Sequence, residues 1–333
     1  MNKQFSFPLT ISSIIILCTL SCNEDKKAFY EEGYINAENG VTLFYQKAGN
    51  GKEKIILPLG LYLYPGLKSL QDSLDCTLVF YDVRNRGRSG HITDSSLIGI
   101  WQDVIDLETV RKHFAFEKVS LVGWSYLGMM VMLYATHHPE HIERIIQIGP
   151  VALKWDTEFP PEYKNTDPSP VDTTKSKEIE KLISEGYHLK EPKKFTERWH
   201  EVNGYPDLFG DTNNIKKFKN ELMKVAELEN EWYHNFWWHL THHFFGSVQK
   251  LNADSLWLEV KKITTPVLTI HGTKDRNAVY GAGRQWVKEL RDAKLVTVKG
   301  AGHLPWYENP PKVLHSMTVF LKGKWPDDAE TLK

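Results

Sequence analysis

A mostly parallel, doubly wound α/β sheet interrupted by a helical insertion is the fold that this 333-residue sequence predicts, and three observations carry that reading. Short apolar runs bounded by glycine, proline and charge alternate with stretches of helical spacing, the mark of parallel strands joined by crossover helices. The alternation stops from Val151 to Thr265 and then resumes, so the intervening segment reads as an insertion in one fold. Composition is globular, at 41% hydrophobic and 25% charged, which excludes disorder, a collagenous repeat and a polytopic membrane protein. Formal net charge is −1, giving no electrostatic case for nucleic acid or another polyanion as partner.

The first residues stand apart from the fold. Lys3 precedes the apolar run Leu9 to Leu20, which is too short for a bilayer span of about 20 residues but fits the core of a secretory signal. Thr19-Leu20-Ser21-Cys22 then resembles a bacterial lipoprotein signal, with Thr19 where such signals carry an aliphatic residue. The resemblance implies a signal peptide over 1–21, lipidation of Cys22 and an exported protein held at the periplasmic or outer-membrane face. Thr19-x-Ser21 also suits an ordinary signal peptidase, so plain secretion is the alternative.

A tether over 22–32 leads into the core, expected over 33–151 and 263–323. Gly33 to Gly49, with Asn39-Gly40 before Val41-Thr42-Leu43-Phe44-Tyr45, reads as an antiparallel hairpin. Strands follow at 55–57, 78–81, 119–122 and 145–148, then at 267–270 and 295–298, each β-branched or aromatic and short. Helical spacing spans 97–114, 126–137, 281–291 and 311–322. The insertion, 152–262, follows the sixth strand; it opens with a Pro-, Asp- and Thr-rich stretch and continues with helical segments near 175–186, 192–202, 213–245 and 252–262. Residues 324–333 read as a tail. Of three cysteines, Cys76 heads a strand and is expected to pack rather than react.

Chemistry concentrates at three strand ends. Leu121-Val122-Gly123-Trp124-Ser125-Tyr126-Leu127-Gly128 runs from a buried strand through a small-residue turn into an apolar helix, a setting that lifts the Ser125 hydroxyl above the sheet. It resembles the nucleophile elbow of the α/β-hydrolase family, Gly-x-Ser-x-Gly, with Leu127 at the last glycine. Tyr81-Asp82-Val83-Arg84-Asn85-Arg86-Gly87-Arg88-Ser89 is similar to that family's Tyr-Asp-x-Arg-Gly-x-Gly-x-Ser turn, with Asn85 for glycine; Asp82 and Arg84 are expected to brace loops. Ile270-His271-Gly272-Thr273-Lys274-Asp275 and Gly300-Ala301-Gly302-His303 stand where the family carries its acid and base, and the order Ser, Asp, His is the family's own.

The resemblance covers roughly residues 30–150 and 263–323, and it implies an α/β-hydrolase fold with a helical cap and a Ser125–His303–Asp275 triad. It implies an oxyanion hole from the backbone N–H groups of Tyr126 and Leu61, the latter in Pro58-Leu59-Gly60-Leu61, where relatives have His-Gly at Leu59-Gly60. No cofactor and no metal are implied.

Half of the fourteen residues from Trp232 to Phe245 are aromatic. A helix apolar on more than one face is core for much of its surface, and the remainder is expected to roof a substrate pocket. Trp124, Trp232, Phe236 and Trp237 are the substrate-binding candidates. Glu227, Glu229 and Glu231 resemble, in outline, the cap carboxylates with which prolyl aminopeptidase-like members hold a free amine. His239, His242 and His243 have metal-ligand spacing, but no carboxylate stands at matching positions in the sequence. His271 reads as strand-end packing. The expected function is a serine hydrolase acting through an acyl-enzyme on a small, partly apolar ester, amide or peptide. The alternative is a non-catalytic ligand-binding protein on the same fold, to which Leu127 and Leu59 lend support.

Overall fold

The computed structural model describes residues 30–153, 173–222 and 236–332. One eight-stranded sheet organises them, in the order β1-β2-β4-β3-β5-β6-β7-β8. β1 (Tyr30–Asn36) and β2 (Thr42–Ala48) form the expected antiparallel hairpin, and β2 pairs antiparallel with β4 (Cys76–Tyr81). From β4 onward the pairing is parallel, through β3 (Glu53–Pro58), β5 (Val119–Trp124), β6 (Ile142–Ile148), β7 (Val267–Gly272) and β8 (Ala293–Val298). β4, β5 and β7 are buried at every position, as strands covered on both faces must be. β1 starts at Tyr30, inside the range expected to be tether.

Helices flank the sheet where the sequence spacing put them, with one addition. The chain turns from β3 straight into α1 (Gly60–Leu67) and then α2 (Leu70–Ser73), neither of which shows in the sequence because Pro65 and three leucines mask any period. α3 (Ile100–His113) and α4 (Tyr126–His137) follow. After β6 come α5 (Thr173–Ser184), α6 (Tyr187–Lys190) and α7 (Pro192–Trp199), a π-helical turn at His200–Gly204, α8 (Tyr205–Leu208) and α9 (Asn214–Leu222). α10 (Phe236–His239) continues into a second π-helical turn, Leu240–Phe244, and α11 (Ala253–Val260) leads back to β7. α12 (Tyr280–Glu289), α13 (Pro305–Glu308) and α14 (Pro310–Leu321) complete the core. The expected tail is pinned rather than free: Glu330 bridges Leu295 on the β8 edge.

The strand order creates the site. Chain direction across the sheet reverses between β3 and β5, so the loops after these neighbours diverge and leave a crevice at their carboxyl ends. Cys76 is buried at the start of β4, and burial, with Asp75 and Glu53 nearby, pushes its thiol up to about 12, which fits a packing role.

Candidate active site

Ser125 sits in the single residue between β5 and α4 with φ 59 and ψ −129, a left-handed backbone rare for a residue with a side chain. The turn is clamped: Ser125 N–H donates to Ile148 O at 3.0 Å, and Ser125 O accepts from Gly128 N–H at 3.0 Å. Gly123 is obligatory, since a Cβ there would fall 2.3 Å from Leu127 O. Leu127, the departure from the family glycine, is fully buried in the core, so the close approach at this elbow is made by Gly123 alone.

Asp275 and His303 meet from the loops after β7 and β8. His303 Nδ1 lies 2.7 Å from Asp275 Oδ2, while Asp275 Oδ1 accepts the backbone N–H groups of Asn277 and Ala278, both at 2.9 Å. Burial works to raise the Asp275 carboxyl, but the imidazole of His303 and hydrogen bonds from His271 and His303 outweigh it and hold the group at about 2. His303 is fixed along its backbone too: its N–H donates to Leu208 O at 2.8 Å and its carbonyl accepts from Trp124 Nε1 at 2.9 Å. Gly149, at the end of β6, has φ 48, and a Cβ there would lie 2.9 Å from Asp275 Oδ2 and 3.3 Å from His303 Nδ1. The sequence reading missed this glycine, although Ile148-Gly149-Pro150 at a strand end was its signal.

Ser125 and His303 open onto one cavity of about 210 Å³. Core residues Leu59, Tyr62, Arg86, Trp124, Tyr126 and Val151 form its floor and walls, and Trp199, His200, Leu208, His239, Leu240 and Phe244 reach it from the insertion. Both π-helical turns therefore lie at the cavity, where such irregular turns are often functional. Of the substrate-binding candidates, Trp124 lines the cavity and also holds the His303 carbonyl. Phe236 and Trp237 lie on α10, Trp232 is outside the described residues, and so are Glu227, Glu229, Glu231 and Cys22. The contribution of Trp199 and His200 was unforeseen; the signal was a tryptophan–histidine pair closing the predicted 192–202 helix.

One expectation is corrected by the geometry. Leu61 N–H does not face the cavity as an oxyanion donor: it donates to Asp82 Oδ1 at 2.8 Å. Leu59 takes φ 65, so the chain turns abruptly into α1 and directs the Leu61 amide onto the buried carboxylate. Asp82 Oδ2 accepts Arg88 N–H at 3.1 Å, which makes Asp82 a brace between two loops as expected. Asn85 replaces the family glycine at φ 59, a conformation asparagine tolerates, and its amide closes the loop on both the N–H and carbonyl of Ile92 at 2.7 Å.

The histidines of the insertion do chemistry of another kind. His243 Nε2 meets Asp103 Oδ2 of α3 at 2.6 Å, both buried, so the carboxylate absent from the local sequence arrives from 140 residues away and is used in an ion pair. His239 stacks on His243 at 4.4 Å and lies 3.3 Å from the Tyr126 hydroxyl. Burial, with His243 and Arg86 close by, pushes His239 well below its usual value, leaving it neutral. Among the described residues, Glu108, His138 and His141 bring ligand atoms within 4.8 Å of one another, but the Glu108 carboxylate is taken by both Arg111 nitrogens at 2.7 and 2.8 Å and by Tyr134 at 2.7 Å.

Residues 57–310 match the model of the alpha/beta hydrolase fold family. The chain belongs to that family. A human serine hydrolase is 32% identical over 127 residues, covering 36% of this chain and 43% of its own length. A proline iminopeptidase from Heyndrickxia coagulans is 23% identical over 315 residues, 88% of this chain and 99% of its own. Among solved structures, a serine hydrolase from Cycloclasticus zankles superposes with a TM-score of 0.66 at 16% identity, over 89% of this chain and 99% of its own, a likeness of fold. The chain spans about two fifths of the length of the first curated relatives it matches, 43% and 38%.

Proposed function

We propose that this α/β hydrolase is a serine hydrolase in which Ser125 is the nucleophile, His303 the general base and Asp275 its orienting acid. One observation carries the reading: a serine held at φ 59 on a β5–α4 elbow shares a cavity with a histidine whose other nitrogen is 2.7 Å from a buried carboxylate. As Ser125 Oγ bonds to the substrate carbonyl carbon, its proton passes to His303 Nε2. Collapse of the tetrahedral intermediate releases the leaving group with that proton and leaves an acyl-enzyme. Water then repeats the two steps and frees the acid. The oxyanion is taken by Tyr126 N–H at the start of α4 and by a backbone donor of the Leu59–Gly60 turn, each such donor worth about 3–4 kcal/mol in the transition state.

The substrate is a small, partly apolar ester, amide or short peptide, in keeping with a cavity walled by Leu59, Trp124, Val151, Trp199, Leu240 and Phe244. The relatives named as proline iminopeptidases favour an aminoacyl substrate within that class. Ser125→Ala removes fluorophosphonate labelling and p-nitrophenyl acetate turnover; unchanged labelling sinks the assignment, and wild type that resists the probe while binding apolar ligands favours a ligand-binding protein. Prolyl-naphthylamide set against short-chain esters separates peptidase from esterase. The leader supports export with Cys22 as lipid anchor, checked by mass spectrometry of the mature N-terminus: an unmodified Cys22 rules the anchor out.

A further inference from the structure

We infer that His271 is a positioning residue for the acid–base pair, acting through Asp275; this rests on the triad assignment above. His271 is fully buried at the end of β7, and its Nε2 lies 2.7 Å from Ala278 O and 3.1 Å from Asp275 Oδ2. Both partners only accept, so the Nε2 atom carries the proton and donates it to both. The opposite edge of the ring rests on the backbone of α12, where a Cβ on Gly283 would fall 2.3 Å from Nδ1. The ring is therefore locked as a neutral donor, and a second proton on Nδ1 would find no acceptor there. The titratable groups that face it are Asp275, His303 through that same carboxylate, and Tyr280 of α12, whose ring stands edge-on at 5.6 Å.

Two imidazoles thus share Asp275 Oδ2, with different consequences. The His303 bond, at 2.7 Å, strengthens when His303 takes the serine proton. The His271 bond is constant and draws off part of the carboxylate charge that would otherwise stabilise the His303 imidazolium. Its effect is to keep His303 unprotonated, and so competent as a base, to lower pH. It also fixes the carboxylate plane together with the backbone donors Asn277 and Ala278.

The test compares wild type, His271→Gln, whose amide N–H reaches the Nε2 position, with His271→Leu and His271→Asn, which leave that position empty. The readouts are the NMR titration of the His303 ring, which needs no turnover, and kcat/KM for p-nitrophenyl acetate against pH. In the Leu and Asn variants the His303 titration and the ascending limb move to higher pH by about 0.5–1 unit, a roughly 3- to 10-fold loss of rate at the foot of the limb. His271→Gln restores both. If the Leu and Asn variants lose stability or kcat while His303 titrates as in wild type, His271 is only packing and the inference fails; should His271→Leu not fold, His271→Asn decides alone. Turnover that persists in Ser125→Ala would overturn the triad instead, leaving the NMR result to stand by itself.

Discussion

Glu308 ties the insertion to the loop that carries His303, and its replacement by glutamine isolates that link. Its Oε1 accepts Asp211 N–H at 3.0 Å and Asn214 Nδ2 at 3.2 Å; its Oε2 accepts Gly210 N–H at 3.2 Å and the N–H of Gly302, the residue before His303. Glutamine has the same shape but one acceptor oxygen, so its NH₂ must face two of these donors. An unsatisfied buried N–H costs about 1–3 kcal/mol, and water at this half-buried site offsets part of that, leaving about 2 kcal/mol. At about 2–4 °C per kcal/mol, Glu308→Gln lowers Tm by about 4–8 °C. The kinetic effect is larger in kind: Leu208 O, two residues before Gly210, holds the His303 N–H at 2.8 Å, and a displacement of about 1 Å at a catalytic group costs up to 100-fold. The assay is the second-order rate of fluorophosphonate labelling beside a thermal melt. Labelling slowed at least 10-fold with a lower Tm is expected; wild-type values for both would refute the coupling.

Three further outcomes follow from named contacts. Gly149→Ala forces a Cβ to 2.9 Å from Asp275 Oδ2 at a backbone of φ 48, so kcat falls by more than 10-fold while Cys76 stays protected from thiol reagents in the folded protein. Asp275 is held at about 2, below the ordinary value near 4; its contribution is complete above about pH 4 and drains away between about pH 4 and 2, on the order of 2–3 kcal/mol, so acid unfolding of Asp275→Asn loses that part of its slope by urea titration. Glu108, also at about 2 because the Arg111 fork and Tyr134 outweigh its burial, adds to the same acid limb, which Glu108→Gln flattens. Arg84 and Asp106 form a buried fork at 2.6 and 2.7 Å, yet burial outweighs Arg84 and raises the Asp106 carboxyl. Asp106→Leu alone therefore costs about 3–5 kcal/mol, whereas Arg84→Met with Asp106→Leu returns close to wild type in chemical denaturation.

The parallel strands were legible because each is an apolar run that must be buried on both faces, and runs such as Val119–Val122 admit no other reading in that context. Ser125, Asp275 and His303 were legible because glycine-flanked turns follow those runs. The oxyanion turn was not: its geometry depends on Leu59 adopting φ 65 and on the Asp82 carboxylate, 21 residues away from Leu61, capturing the Leu61 amide. No local pattern encodes such a capture. The role of His271 escaped for the same reason, since its partner Asp275 lies four residues on but across a turn. The insertion was legible only as helix, because its cavity-facing residues, His200 and His239, stand at π-helical turns where the 3.6-residue period that identifies a face breaks down.

That breakdown bears on how the site works. A regular α-helix presents a face every third or fourth residue, and a π-helical turn shifts that face by one residue, turning His200 and His239 inward against the amphipathic pattern of the helices that hold them. The shift is stabilised from the core: His243 reaches Asp103 at 2.6 Å, and Ile100 N–H donates to Ser247 Oγ at 3.1 Å, so the second π-helical turn is held between two contacts with α3. The first continues directly into α8, whose Leu208 carbonyl holds His303. Each roof element is therefore anchored to a core element that positions the Ser125–His303 pair, the first through the His303 backbone and the second through Tyr126, which follows Ser125 and touches His239 at 3.3 Å. A change in the insertion that alters which acyl group fits is bound to alter the geometry of attack as well, so specificity variants in 199–208 or 239–247 should change kcat together with KM rather than KM alone.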